Sequence, residues 1–429
     1  MAERDTIFAL SSGRPPAAIS VVRVSGPGAR HALDAFADAV PSPRQAQLAT
    51  LRNNGEVIDK AIIIFFPGPY SATGDDVAEF QIHGGRAVVA ALLSALAELP
   101  GLRAAEPGEF TRRAFENGRL DLTEVEGLAD LLAAETQSQR RAALMLADGA
   151  LSRRVAEWQA RLLALAAAIE GVLDFSDEDD VGEALPAGWA KDAADLAADL
   201  RQALSAPPAE RLRDGIRVVI AGPPNAGKST LLNALVGRDA AITSDLPGTT
   251  RDVIETPVAI AGTPYVFADT AGLRAAADTI EEAGLVRARA RIDAADILLW
   301  LGDRADCPAG IAAVVIRSKA DLIPEGARGT EADLHLSAKT GEGLDALIAS
   351  LDRLARGLLP SEGDAVLNAR HRDLLAMCCG HVEAASAAAD PLIAAEELRQ
   401  ARLALDRITG RAGVEDMLDS LFGRFCIGK

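Results

Sequence analysis

The chain has 429 residues, which is room for two to four domains. Acidic residues outnumber basic ones by 62 to 44, a formal net charge of −18, which argues against a protein built mainly to grip nucleic acid over a broad surface. The apolar runs fall far short of the ~18 residues a membrane helix needs, Met1–Asp5 lacks a signal-peptide pattern, and the four cysteines (Cys307, Cys378, Cys379, Cys426) show no C-x-x-C spacing, so the expectation is reduced thiols in a cytoplasm without structural zinc.

In chain order, residues 1 to about 117 mix strands and helices. Ala18–Val24, Ala61–Phe66 and Ala78–Ile82 read as strands, and Ala87–Leu99 as a helix that stops before Pro100. Arg23 and Glu79 lie in two of these strands, and Phe110-Thr-Arg-Arg-Ala-Phe115 precedes Arg119. Two readings stand for these charges: a pocket for a small anionic ligand, or surface ion pairs. Residues 120 to 205 read as helical, broken by the acidic run Asp174–Asp180, a solvated connection. Pro207-Pro208 marks a linker. Helix returns over 364 to 424, so the segment between looks inserted into a helical domain.

That segment carries the densest chemistry. Gly222-Pro-Pro-Asn-Ala-Gly-Lys-Ser229 is G-x-x-x-x-G-K-S, a phosphate-cradling loop. It lies between the short apolar strand Arg217–Ala221 and the amphipathic helix Ser229–Val236. Small residues let backbone N–H groups curl around phosphates, and the following helix aims its positive end at them. Lys228 reaches the outer phosphates, and Ser229 offers its hydroxyl to Mg²⁺. A second strand, Tyr265–Ala268, runs into Asp269-Thr270-Ala271-Gly272, which is D-x-x-G. Between the two motifs, Thr250 is the candidate switch threonine that closes on Mg²⁺. A strand Ala313–Ile316 leads to Ser318-Lys319-Ala320-Asp321, and Leu334–Leu336 leads to Ser337-Ala338-Lys339, matching the guanine-reading motifs N-K-x-D and S-A-K. Asp321 accepts the two N–H donors that guanine has and adenine lacks.

Three positions depart from the common GTPase pattern. Ser318 stands where Asn is usual, which predicts weaker nucleotide affinity with guanine selectivity kept by Asp321. Leu273 follows D-x-x-G where small GTPases place a water-orienting Gln. Glu281 is the candidate replacement, against the alternative that Glu281 and Glu282 form a solvated helix face. Asn225, inside the phosphate loop, either ligates a monovalent cation through its amide oxygen or simply fills a turn. The chain closes on Phe425-Cys426-Ile-Gly-Lys429, where Cys426 is either a reactive thiol or a small buried hydrophobe.

Taken together, Asp5-Thr-Ile7, Val22-Arg-Val-Ser-Gly26, His83-Gly-Gly85, Gly108–Phe115, Arg119–Leu122, the GTPase motifs, Ile408-Thr-Gly410 and the terminal C-x-G-K give the chain a resemblance to the MnmE (TrmE) family of tRNA-modification GTPases over essentially its whole length. The resemblance implies an α/β plus all-α architecture. An α/β folate-binding and dimerisation domain spans 1–117, a split helical domain 118–212 and 358–429, and an inserted Ras-like P-loop GTPase domain 213–357. It implies a homodimer whose GTPase domains pair. It implies an FAD-dependent partner, MnmG, joined in a heterotetramer or larger complex, and tRNA as substrate. The product is an aminomethyl or carboxymethylaminomethyl group on carbon five of the wobble uridine, its carbon carried by a 5-formyl or 5,10-methylene tetrahydrofolate derivative. By position, Arg23, Glu79, Arg119 and Lys429 correspond to folate contacts, with Arg119 where lysine also occurs. Asn225, Ser244, Leu246 and Thr249 correspond to K⁺ ligands, and Ser229 and Thr250 to Mg²⁺ ligands. GTP is contacted along Asn225, Ala226, Gly227, Lys228, Ser229 and Thr230; along Ser244, Asp245, Leu246, Pro247, Gly248, Thr249 and Thr250; along Asp269–Gly272; and through Ser318, Lys319, Asp321, Ser337, Ala338 and Lys339. The same match gives Glu281 the water-orienting role and Cys426 a role in the modification chemistry.

Competing classes leave different marks. A ribosome-assembly GTPase of the Era or EngA type carries a KH module or a second G domain, and neither a G-x-x-G of KH type after this segment nor a second phosphate loop is present. A folate enzyme merely regulated by GTP differs in leaving the wobble uridine untouched. A septin-like scaffold retains its nucleotide tightly.

Overall fold

The computed structural model describes residues 5–174, 185, 187–238, 255–269, 289–324, 329, 331–361, 365–412, 415–423 and 425–429. The chain divides into two compact units, Met1–Ala129 with Thr409–Lys429, and Asp130–Ile408.

The first unit is built on a six-stranded sheet of order β3-β4-β5-β2-β1-β6. Its strands are β1 (Thr6–Leu10), β2 (Ile19–Ser25), β3 (Gln47–Asn53), β4 (Glu56–Phe66), β5 (Val77–His83) and β6 (Leu102–Ala104). All neighbours pair antiparallel except β1 with β6. Strand alternation sends Val22, Val24, Ala78 and Phe80 to one face. There they form a core with Leu33 of α1 (Ala29–Phe36) and Leu92 of α2 (Arg86–Ala97). Arg23 and Glu79, in the opposite phase, fall on the other face. Helix α3 (Glu109–Glu116) is fastened by buried Arg113, whose guanidinium donates to Ser25 O (3.3 Å) and to Glu109 (3.1 Å). Leu122 and Val125, in the first turns of α4 (Leu122–Ala133), share a small core with Leu418 and Phe422 of α13 (Glu415–Phe422) and with Phe425.

The second unit holds a helical core and a second sheet. Helices α5 (Gln137–Ala147), α6 (Ala150–Asp174) and α7 (Trp189–Ser205) come early. Helices α11 (Ala369–Ala387) and α12 (Pro391–Thr409) come about 160 residues later, yet Trp158, Leu196, Leu200, Leu375, Val382 and Leu405 share one buried core. Fully buried Trp158 donates through Nε1 to Asp199 (3.0 Å), which also pairs with Arg154 and Arg161. The chain leaves and re-enters this core at one place. Ala209 N donates to Leu367 O (3.1 Å), and Ala369 N to Glu210 Oε1 (2.6 Å), on the short helix α8 (Glu210–Arg213).

The sheet between those points has the order β12-β11-β10-β7-β9-β8. Its strands are β7 (Ile216–Ala221), β8 (Glu255–Ile260), β9 (Thr263–Asp269), β10 (Ile297–Trp300), β11 (Ala313–Ser318) and β12 (Leu334–Leu336). Five are parallel, and edge strand β8 runs antiparallel to β9. Both faces are covered: Val218 and Ile220 pack with Leu231 of α9 (Lys228–Arg238) and Leu347 of α10 (Leu344–Arg356), while Val219 and Leu298 fill the opposite side. Two-sided burial is why Val218–Ala221 of β7 reads as an unbroken apolar run after the exposed Arg217.

Candidate functional site

The phosphate loop leaves the carboxyl end of β7, a central strand, where ligands gather in open parallel sheets. Gly222 has φ +145°, and a Cβ there would sit 2.5 Å from Leu301 O, so only glycine lets the loop turn beside β10. Asn225 (φ +61°) and Gly227 (φ +94°) also take left-handed conformations. Helix α9 then starts, with Leu231 N donating to Gly227 O (2.9 Å). Ser229 and Thr230 stand exposed in its first turn. Lys228 is buried, and its Nζ donates to Gly222 O (3.0 Å) and Pro223 O (2.8 Å). The ammonium is thus held over the loop's own carbonyls, within reach of an incoming triphosphate.

The base-reading motifs lie at the ends of adjacent strands. Ser318 of β11 pairs in register with Leu336 of β12, so the loops bearing Lys319–Asp321 and Ser337–Lys339 start side by side. Lys319 adopts φ +60° and turns its Nζ back to Asn225 O (2.8 Å), joining the base loop to the phosphate loop. Asp321 is exposed in a 3-10 turn (Ala320–Leu322). Ser337 is buried, and Ser337 N donates to Glu342 O (2.9 Å) while Gly341 N donates to Ser337 O (2.9 Å). These bonds set the loop so that half-buried Ala338 and exposed Lys339 face outward from β12. Asp269 ends β9, its backbone paired with Ile220 of β7, which brings D-x-x-G to the same end of the sheet as the phosphate loop. Ser244, Asp245, Leu246, Pro247, Gly248, Thr249, Thr250, Thr270, Ala271, Gly272 and Glu281 lie outside the described residues.

In the first unit, Arg23 and Glu79 are directly opposed on β2 and β5. Arg23 donates from Nε (3.0 Å) and Nη2 (2.8 Å) to the same oxygen, Glu79 Oε1, and its guanidinium lies 5.9 Å from the Phe110 ring centre. The pair is an ion pair, half-buried rather than on open surface, with side-chain exposures of 23% and 16%. Sequence reasoning passed over Phe110 as a partner, because α3 reaches β2 only through the tertiary fold. Arg119 is exposed after left-handed Gly118, and the described contacts do not bring it or Lys429 onto the Arg23–Glu79 pair. The tail is nevertheless fixed in this unit. Ile427 bridges to Pro107, and Gly428 (φ +99°) lies so close to β1 that a Cβ would meet Leu10 O at 2.1 Å. Cys426 is exposed, and its carbonyl accepts from Lys429 N (3.2 Å).

A phosphate loop after a central parallel strand, with two base-reading loops at neighbouring strand ends, defines a P-loop GTPase fold. Comparison with known proteins narrows the class. The model for the GTP-binding protein TrmE N-terminus matches residues 6–119, and the model for the MnmE helical domain matches residues 122–426. Proteins named tRNA modification GTPase MnmE align almost end to end. The one from Novosphingobium aromaticivorans is 54% identical over 99% of this chain and 100% of its own. The one from Erythrobacter litoralis is 55% identical over the same shares, and that from Zymomonas mobilis is 50% identical. The chain belongs to the MnmE family.

Proposed function

We propose that this protein is a potassium-dependent GTP hydrolase that works with the FAD-dependent flavoprotein MnmG on the wobble uridine of tRNA. The pair installs an aminomethyl or carboxymethylaminomethyl group on carbon five, using a tetrahydrofolate-borne one-carbon unit, in the cytoplasm and as a homodimer. The observation that carries the reading is the nucleotide end of the second sheet, where Lys228, Asn225, Lys319 and Asp321 meet the family's order of motifs.

Asp321 pairs the guanine edge, Lys319 spans base and phosphate loops, and Lys228 neutralises the outer phosphates. Ser229 and Thr250 hold Mg²⁺. Asn225, Ser244, Leu246 and Thr249 hold K⁺, which supplies the positive charge that an arginine finger supplies elsewhere. Asn225 fits this role in being exposed, on a left-handed turn of the phosphate loop. Glu281 orients the attacking water, in place of the glutamine that Leu273 replaces.

The folate assignment rests on a donor–acceptor pair. Because Arg23 spends Nε and Nη2 on one oxygen, Glu79 Oε2 and Arg23 Nη1 carry no hydrogen bond to any described residue. A planar heterocycle with adjacent donors and acceptors fits that edge. Arg119 and Lys429 complete the folate assignment by family position, and Cys426 takes its part in the modification chemistry by the same match. The net charge of −18 fits a division of labour in which the partner supplies much of the tRNA grip. Among the described residues, no helix is long and apolar enough to cross a membrane.

Hydrolysis is expected to run at least about tenfold faster in K⁺ than in Na⁺ at matched ionic strength, as one well-placed transition-state charge implies. Equal rates would remove the cation from the mechanism. Nucleoside analysis of bulk tRNA from cells lacking the gene tests the substrate, and an unchanged wobble uridine would overturn it.

A further inference from the structure

Two strands feed the nucleotide end of the second sheet: β7, which runs into the phosphate loop, and β9, which ends at Asp269. Their opposite ends converge on the first turn of α5. Ser138 donates to Gly262 O twice, from its backbone N (3.1 Å) and from Oγ (2.8 Å), and Gly262 immediately precedes β9. Gln139 donates from Nε2 to Arg213 O (3.0 Å), three residues before β7. The same glutamine accepts through Oε1 from Thr136 N (2.9 Å) and Glu135 N (3.0 Å), while Thr136 Oγ1 accepts from Gln139 N (3.3 Å). This capping box orders the first turn of α5 so that both ties leave from a fixed point.

The fit there is close and polar. Gly262 has φ +80°, and a Cβ would lie 3.3 Å from Gln137 Cβ. Behind the helix the packing is looser: a cavity of about 60 Å³ lies among Ala133, Ala142, Ala143, Leu146 and Leu212. A gap in the packing forfeits contacts on that side of the helix. Ala143 and Leu146 are buried, Leu146 in the helical core, so packing fixes the far part of α5 while the bonds to the two strand starts fix its first turn.

We propose that Ser138 and Gln139 are positioning residues that couple the nucleotide site to the helical part of the second unit. A shift of β9 relative to β7, driven at the phosphate end, changes the spacing of Gly262 O and Arg213 O. Ser138 and Gln139 cannot both follow without moving or fraying the first turn of α5. The cavity gives the helix room to move. The coupling rests on GTP binding and is independent of the tRNA reading.

The test is hydrogen exchange of the full-length chain, read by mass spectrometry over 136–147, with GDP and with a non-hydrolysable GTP analogue. Exchange in this segment is expected to differ about fivefold or more between the two states. Ser138→Ala should erase that difference while labelled-nucleotide affinity stays within about twofold, and Ser138→Thr, which keeps the hydroxyl, should restore it. Identical exchange in the two states of the wild type, with nucleotide bound, overturns the coupling and leaves the GTPase reading intact. A difference that survives Ser138→Ala overturns the role of the hydroxyl tie. A chain that binds no nucleotide overturns both readings.

Discussion

Ser318 lacks the amide that the usual asparagine offers, so the tie between base and phosphate loops falls to the 2.8 Å bond from Lys319 Nζ to Asn225 O. Lys319→Met should therefore weaken GDP binding by about tenfold or more, the worth of a charge-assisted hydrogen bond. Ser318→Asn should strengthen binding by about fivefold without admitting adenine nucleotides if Asp321 reads the base as proposed. Titration with labelled GDP and ADP checks both, and no gain from asparagine would show that Lys319 already does the whole task. A second residue-scale expectation concerns Glu109. Its burial raises the carboxyl pKa, but hydrogen bonds from Arg103 and Glu106 N and the charges of Arg103 and Arg113 outweigh that and hold it below its ordinary 4.5. A carboxylate depressed in this way stabilises the fold above about pH 4.5 and loses that contribution as pH falls through the lowered value. Glu109→Gln should cost about 2 kcal/mol at neutral pH, since it leaves buried Arg113 short of charge. The gap in melting temperature between wild type and variant should narrow as pH falls below 4.5 and close once pH has passed the lowered value; a gap constant with pH would mean that charge is irrelevant there.

At the scale of elements, contiguous chemistry was legible and cross-strand chemistry was not. The eight residues from Gly222 to Ser229 announce a strand, a loop and a helix, and β7 and α9 form around them with ends within a residue or two of the reading. Strand β8 was hidden by Pro257, which argues against a central strand. It is tolerated because β8 is an edge strand, paired on one side only. β10 is four apolar residues long, too short for periodicity to tell strand from helix. The Arg23–Glu79 pair joins residues 56 apart, and the Ser138 clasp residues 124 apart. Only the strand register and the tertiary fold create them. The terminal motif shows the same division. Its letters were legible, but the reason for its glycine is the contact with β1, where any Cβ at position 428 strikes Leu10 O. Gly428→Ala should release the tail at a cost of about 1–3 kcal/mol. Faster loss of the last residues to a carboxypeptidase, with GTP hydrolysis unchanged, is the expected result. An equally protected tail would show that the Ile427–Pro107 bridge suffices to hold it.

At the scale of the molecule, the question is whether the nucleotide-binding segment is an insertion that the helical core can do without. The core is assembled from helices before and after it, with Trp158 and Leu200 on one side in sequence and Leu375 and Leu405 on the other. The two crossing points are bonded to each other, Ala209 N to Leu367 O and Ala369 N to Glu210. Arg372 reinforces the junction by donating to Leu204 O and Ala206 O, both at 2.8 Å. None of these bonds needs a residue between 213 and 357. Replacing that stretch with a linker of about a dozen glycines and serines, whose mean span is about 20 Å, should leave the chain free to close the junction. The shortened protein should keep a cooperative helical melt and a sharp near-ultraviolet signal from Trp158 and Trp189, because the residues that bury both indoles are still present. Helix α5 should lose order, since Gly262 O and Arg213 O, which hold its first turn, are removed. A broad melt with the tryptophan signal lost would mean that the two halves of the core associate only when the nucleotide fold is there to hold them.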